Sequence, residues 1–207
     1  KACWYLQEAP RLYPNHPDAF ALREMLGQCQ RKLAEKAGLL ADNMEKAALK
    51  PDQAPAEKQA FAQLVETHRA SQRDWLRKAA DTFQALNDDL DAKARLARLT
   101  AAELIVQRSA LFSSADVDFE LGDHLGAIQR YRHVQGRYRG RIESAHAFQR
   151  LFRCWLGGNV AAQHKQAVLD IVQQAADDAQ MDLEALPGDE KVFRGTNYWS
   201  KDTWLNR

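Results

Sequence analysis

The feature that most constrains this chain is a run of about forty residues, Ala56 to Leu96, with apolar side chains every three or four positions. Phe61, Leu64, Val65, His68, Trp75, Leu76, Ala79, Ala80, Phe83, Leu86, Leu90 and Ala94 carry that period. As a single α-helix the run would be about 60 Å long, at about 1.5 Å per residue. An interruption, if present, would fall at Asn87-Asp88-Asp89. Composition points the same way. Ala, Leu, Gln, Glu, Lys, Arg and Asp dominate, whereas Val, Ile and Thr are sparse. Unbranched side chains lose little rotamer freedom in a helix, so an all-α chain of antiparallel helical hairpins is expected.

Breaks divide the remainder. Tyr13-Pro14-Asn15-His16-Pro17 stops a first helix, because Pro lacks the backbone donor and steers its predecessor away from helical geometry. Asp18 is placed to cap the next helix, with Phe20, Leu22, Met25, Leu26, Cys29 and Leu33 as its stripe. That helix either turns near Lys32 or runs on to Leu49; the sequence supports both readings. Pro51 to Pro55 is a short break that should fold the helices on either side into an antiparallel pair. Thr100-Ala101-Ala102-Glu103 is a capping box for a helix reaching about Leu121, packed through Leu104, Ala110, Leu111, Ala115, Phe119 and Leu121. Gly122 ends it, Asp123 starts the next helix to about Tyr138, and Gly140 closes that one. A further hairpin covers 142–186, turning at Gly157-Gly158-Asn159 with its second helix from about Val160. An aromatic tail, 187–207, holds Phe193, Tyr198, Trp199 and Trp204 and should fold back on that hairpin.

Two stretches share one spacing. Ala2, Leu6, Ala9, Tyr13 and Pro14 are matched in interval by Ala127, Tyr131, Val134, Tyr138 and Arg139. With Leu111, Ala115 and Gly122-Asp123-His124 ahead of the second copy, the segment resembles the tetratricopeptide repeat, a helix–turn–helix unit. The resemblance implies an α–α superhelix in which Ala127 is the small residue at a close helix contact. It also implies that Leu111, Ala115, Gly122, Tyr131 and Val134 define the packing. Arg139 stands where the family places Pro, and the copies are not spaced as neighbouring repeats. The organisation expected is one helical-repeat domain over 1–207. Residues 1–17 end a repeat, 18–97 form a long helical insertion, and 101–141 form the best-matching hairpin. Degenerate repeats around such an insertion resemble bacterial scaffold proteins, of the cell envelope or the cytoplasm. Lys1 opens inside a repeat, so the chain reads as a fragment or a processed product.

Little in the chain points to catalysis. The six histidines are scattered, with no His-x-x-x-His pair, and Cys3, Cys29 and Cys154 form no Cys-x-x-Cys motif. No Gly-x-Ser-x-Gly or phosphate-binding Gly loop occurs. We therefore expect no catalytic residues, metal or cofactor, and cysteines packed as small apolar groups. No apolar run approaches the roughly 20 residues that would span a membrane. The net charge of +1 argues against general polyanion binding.

The most distinctive polar stretch holds Arg130, Arg132, Arg137, Arg139 and Arg141, interleaved with Tyr131 and Tyr138. Guanidinium groups pair with carboxylates, so an acidic peptide or protein is one natural partner. Nucleic acid is the alternative, with Arg on phosphate and Tyr stacked on bases. A third reading leaves these Arg as a solvated outer face. The expected function is non-catalytic protein binding or self-association through a groove, with Ser113, Ser114, Asp116 and Asp118 among its lining.

Overall fold

The computed structural model describes residues 2–50, 54–157 and 164–186. It is all-α: seven helices and no strand occur among the described residues. The Gly158-Asn159 turn, the expected helix start at Val160 and the aromatic tail lie outside them. The chain divides into two compact units, Lys1–Leu121 and Gly122–Arg207.

The first unit is built on α2 (Ala19–Ala48) and α3 (Pro55–Leu96). Both are continuous. No turn forms near Lys32, where the residues are helix formers, and Asn87-Asp88-Asp89 does not interrupt α3. Asn87 instead faces inward, and Asp89 reaches across to Arg23 at 2.6 Å. The contacts Arg23–Asp89, Gln30–Thr82 and Asp42–Arg69 run in opposite directions along the two helices, so the pair is antiparallel. Pro55 starts α3, where a missing N–H costs no helical hydrogen bond. Asp18 departs from expectation. It stands at the start of α2 without a side-chain capping bond, and its carboxylate lies 3.7 Å from His16 Nδ1.

The expected stripe of α2 is buried in part: Leu26 is buried and Phe20 packs against the core. Met25 is exposed, whereas Gly27, Ala34, Ala37, Gly38 and Ala41 are buried. Small residues let the backbone of α2 approach α3, whose Leu76, Phe83, Leu86 and Leu90 supply the volume. The helix α4 (Ala101–Glu120) adds Ala110 and Val117 to this core. Leu104, expected to pack, is half exposed, and Val117 is buried. The capping box forms: Thr100 Oγ accepts from Glu103 N at 3.2 Å, and Glu103 accepts from Thr100 N at 2.9 Å. Glu103 also takes Lys93 Nζ at 2.5 Å, tying the end of α3 to the start of α4. The N-terminal α1 (Ala2–Leu12) packs against α2 and has no fully buried residue.

The second unit contains α5 (His124–Arg137), α6 (Ile142–Gly157) and α7 (Lys165–Ala185). Asp123 caps α5, accepting from Gly126 N at 2.9 Å. Gly122 and Gly140 both adopt the left-handed conformation that ends helices, at φ +84° and +70°. Ala127, Ile128, Tyr131, Val134, Ala147, Leu151, Val168, Val172 and Ala175 are buried. Phe152 and Leu156 of α6 are exposed.

Candidate interaction surfaces

In the first unit, α4 lies in the groove between α2 and α3. Ser109 Oγ donates to Glu24 at 2.7 Å and Gln28 donates to Ser113 Oγ at 2.8 Å, both at an offset of 85 residues. A constant offset means that α4 runs parallel to α2. Gln107–Asp91 and Lys93–Glu103 show it antiparallel to α3. The track ends where Arg31 bonds Glu120 and lies 3.5 Å from Asp116. Past that point α2 and α3 continue, and a cleft of about 570 Å³ opens between them.

Arg31, Leu39, Gly38, Arg69, Gln72 and Glu120 line this cleft. Its polarity comes from the sequence of α3. Arg69 and Gln72 fall where the three-to-four period would otherwise place apolar groups. Arg69 meets Asp42 at 2.6 Å and Gln72 at 3.3 Å, so its charge is matched across the seam. Gln72 lies over Gly38, where an added Cβ would come within 2.7 Å of its amide nitrogen. Leu39 is 57% exposed at the rim. The floor is thus balanced in charge, with an apolar side chain offered at its edge. The residues first expected to line a groove do something else. Ser113, Ser114 and Asp118 are buried, and Asp116 faces Arg31. Ser113 is spent on Gln28, because α4 seats that face against α2.

In the second unit the Arg-rich stretch is partly internal. Arg132 reaches Asp178 at 2.5 Å. Arg139 reaches Asp178 at 2.7 Å and Asp182 at 3.1 Å. Asp182 also accepts from Gly140 N at 2.9 Å and from the Ser144 hydroxyl. Gln135 donates to the Ala175 carbonyl at 2.6 Å in the same seam. Both carboxylates are buried, and burial alone would raise the Asp178 pKa. Hydrogen bonds and charge from Arg132 and Arg139 outweigh it and hold that carboxyl below the usual range. The same bonds raise the Arg139 pKa. Arg130 is half-buried, and Arg137 and Arg141 are exposed.

No motif in the sequence marks Asp178 and Asp182. They continue the stripe Val168, Val172, Ala175 of α7, and a carboxylate on a core-facing period is the signal that would have found them. Among the described residues, no cluster of His, Cys, Asp and Glu could hold a metal ion. No described helix is long and apolar enough to cross a membrane. No family model, curated protein or solved structure matches the chain.

Proposed function

We propose that the chain is a non-catalytic protein-interaction module. Its helical hairpins present the α2–α3 cleft to a peptide, a partner helix or a second copy of the chain. One observation carries this reading. The α2–α3 groove already holds one helix, α4, and continues past Glu120 as a cleft that no described helix fills, with Leu39 at its rim. A segment entering there would meet the same surface that seats α4: small residues in the floor, with hydrogen-bonding and charged groups around them. The tetratricopeptide resemblance supports the reading, since such hairpins bind chains in grooves.

The Arg-rich segment enters the proposal in second place. Within it, Arg132 and Arg139 are matched by carboxylates of their own unit. A nucleic-acid or acidic-peptide surface there would include the exposed Arg141. The test replaces Leu39 with a photo-crosslinking phenylalanine analogue, and in a parallel variant Leu96, exposed outside the cleft. Crosslinks to a defined protein segment at position 39 and not at 96 support the cleft. Equal labelling at both positions, or affinity capture of the same protein that survives Leu39→Arg, rejects it.

A further inference from the structure

We propose that Cys3 and Cys29 form a paired oxidation site, which a low-molecular-mass disulfide closes into a bridge that latches α1 onto α2. The two residues meet because the chain reverses between the helices. Tyr13 N bonds Ala9 O, His16 N bonds Tyr13 O and Ala19 N bonds His16 O, which together make a tight turn over 13–18. Cys3 lies about three helical turns before that reversal and Cys29 about three after it, at 3.6 residues per turn. The packing of α1 on α2 therefore sets them opposite each other, close enough that Cys29 bears on the ionisation of Cys3. Both are half-buried free thiols, within reach of a small oxidant, whereas Cys154 is buried in the other unit.

The site matters because α1 is held weakly. It has 11 residues, none fully buried, and Pro10 inside it removes a backbone donor. An isolated helix that short is marginal in water, so α1 persists by its contact with α2. Trp4, Tyr5 and Leu12 stay exposed even when it is docked. A covalent link three turns from the reversal would close a loop through the turn and suppress detachment.

Oxidised glutathione can supply both oxidising equivalents. A thiolate of the pair attacks one sulfur of oxidised glutathione, forming a mixed disulfide and releasing one glutathione, which takes up a proton. The second thiol loses its proton and attacks the protein sulfur of that mixed disulfide. The Cys3–Cys29 bond forms, the second glutathione leaves, and the two electrons lost by the pair reside in the two glutathione thiols. Burial first, and then the neighbouring Cys29 thiol, push the Cys3 thiol up to about 11. Closure should accordingly quicken as pH rises.

The experiment incubates the full chain with oxidised glutathione and reads three signals. Expected are a peptide joining Cys3 to Cys29, loss of two hydrogens from the intact mass, and tryptic cleavage after Arg11 slowed about tenfold until a reductant is added. Arg11 is the exposed cleavage site within α1. Cys29→Ser should abolish the link and the slowing together; if it folds poorly, Cys3→Ser on the peripheral helix serves instead. A persistent glutathione adduct without the joined peptide overturns the proposal. So does a bridge between chains, or a Cys3–Cys29 bridge that leaves cleavage after Arg11 unchanged.

Discussion

The ring of Phe83 fills the space that a side chain at Gly27 would need: an added Cβ would lie 2.5 Å from Phe83 Cε1. Phe83 is fully buried, so its ring cannot swing aside without disturbing Leu86 and Ala34 in the same core. Gly27→Ala gains about 1 kcal/mol of helix propensity and loses about 1–3 kcal/mol to overpacking. The net outcome expected is a lower midpoint in urea unfolding.

Gly38 offers the opposite sign on the same helix. The nearest atom to its added Cβ is the amide nitrogen of Gln72, at the tip of a flexible side chain beside the cleft. Gln72 can turn away at the expense of its 3.3 Å contact with Arg69. Gly38→Ala should therefore leave stability unchanged or raise it by up to about 1 kcal/mol. A loss as large as that of Gly27→Ala would show that the cleft is tighter than its volume implies.

Asp178 makes the stability of the second unit pH-dependent. Its carboxyl is depressed in the folded state, so the stabilisation is complete above the unfolded value of 3.8. It is lost as pH falls through the lower folded value. Asp178→Asn should cost about 1–3 kcal/mol at neutral pH, less than a fully buried pair because both guanidinium groups reach solvent. Thermal unfolding of the two forms should converge on acidification below about pH 4.

Arg141→Gln and Arg139→Gln separate surface charge from internal pairing. Arg141 is exposed, and its loss should change stability by less than about 0.5 kcal/mol. Arg139 serves both Asp178 and Asp182, and its loss should lower the melting temperature measurably. Equal effects would contradict the internal role of Arg139.

Ala127 is fully buried, so Ala127→Leu must push side chains into a filled space. An overpacking penalty of about 1–3 kcal/mol is expected, read as a drop in thermal midpoint.

Local chemistry was enough to place most elements. The three-to-four period gave α3 within a residue of its observed start, the Thr100–Glu103 box gave the beginning of α4, and Gly122 and Gly140 gave two helix ends. Each depends on residues within a few positions of one another, which is why sequence shows them. The continuity of α2 through Lys32 was not legible, because helix formers permit both a turn and a helix; packing along α3 decides it.

What faces what was a tertiary matter. On α2 the buried face is made as much by Gly27, Ala34, Ala37 and Ala41 as by Leu26, while Met25 is exposed, since the volume comes from Leu76 and Phe83 on another helix. The Arg-rich segment reads as a binding face because its carboxylate partners lie about forty residues away, on α7. The cleft has the same origin: it exists because α4 ends at Glu120 while α2 and α3 go on. The sequence by itself determined that this chain is helical and where most of its helices begin and end, because capping and periodicity are local. Only the tertiary structure decided which charges pair within the fold and where the α2–α3 groove extends past α4, because pairing depends on residues that the fold brings together.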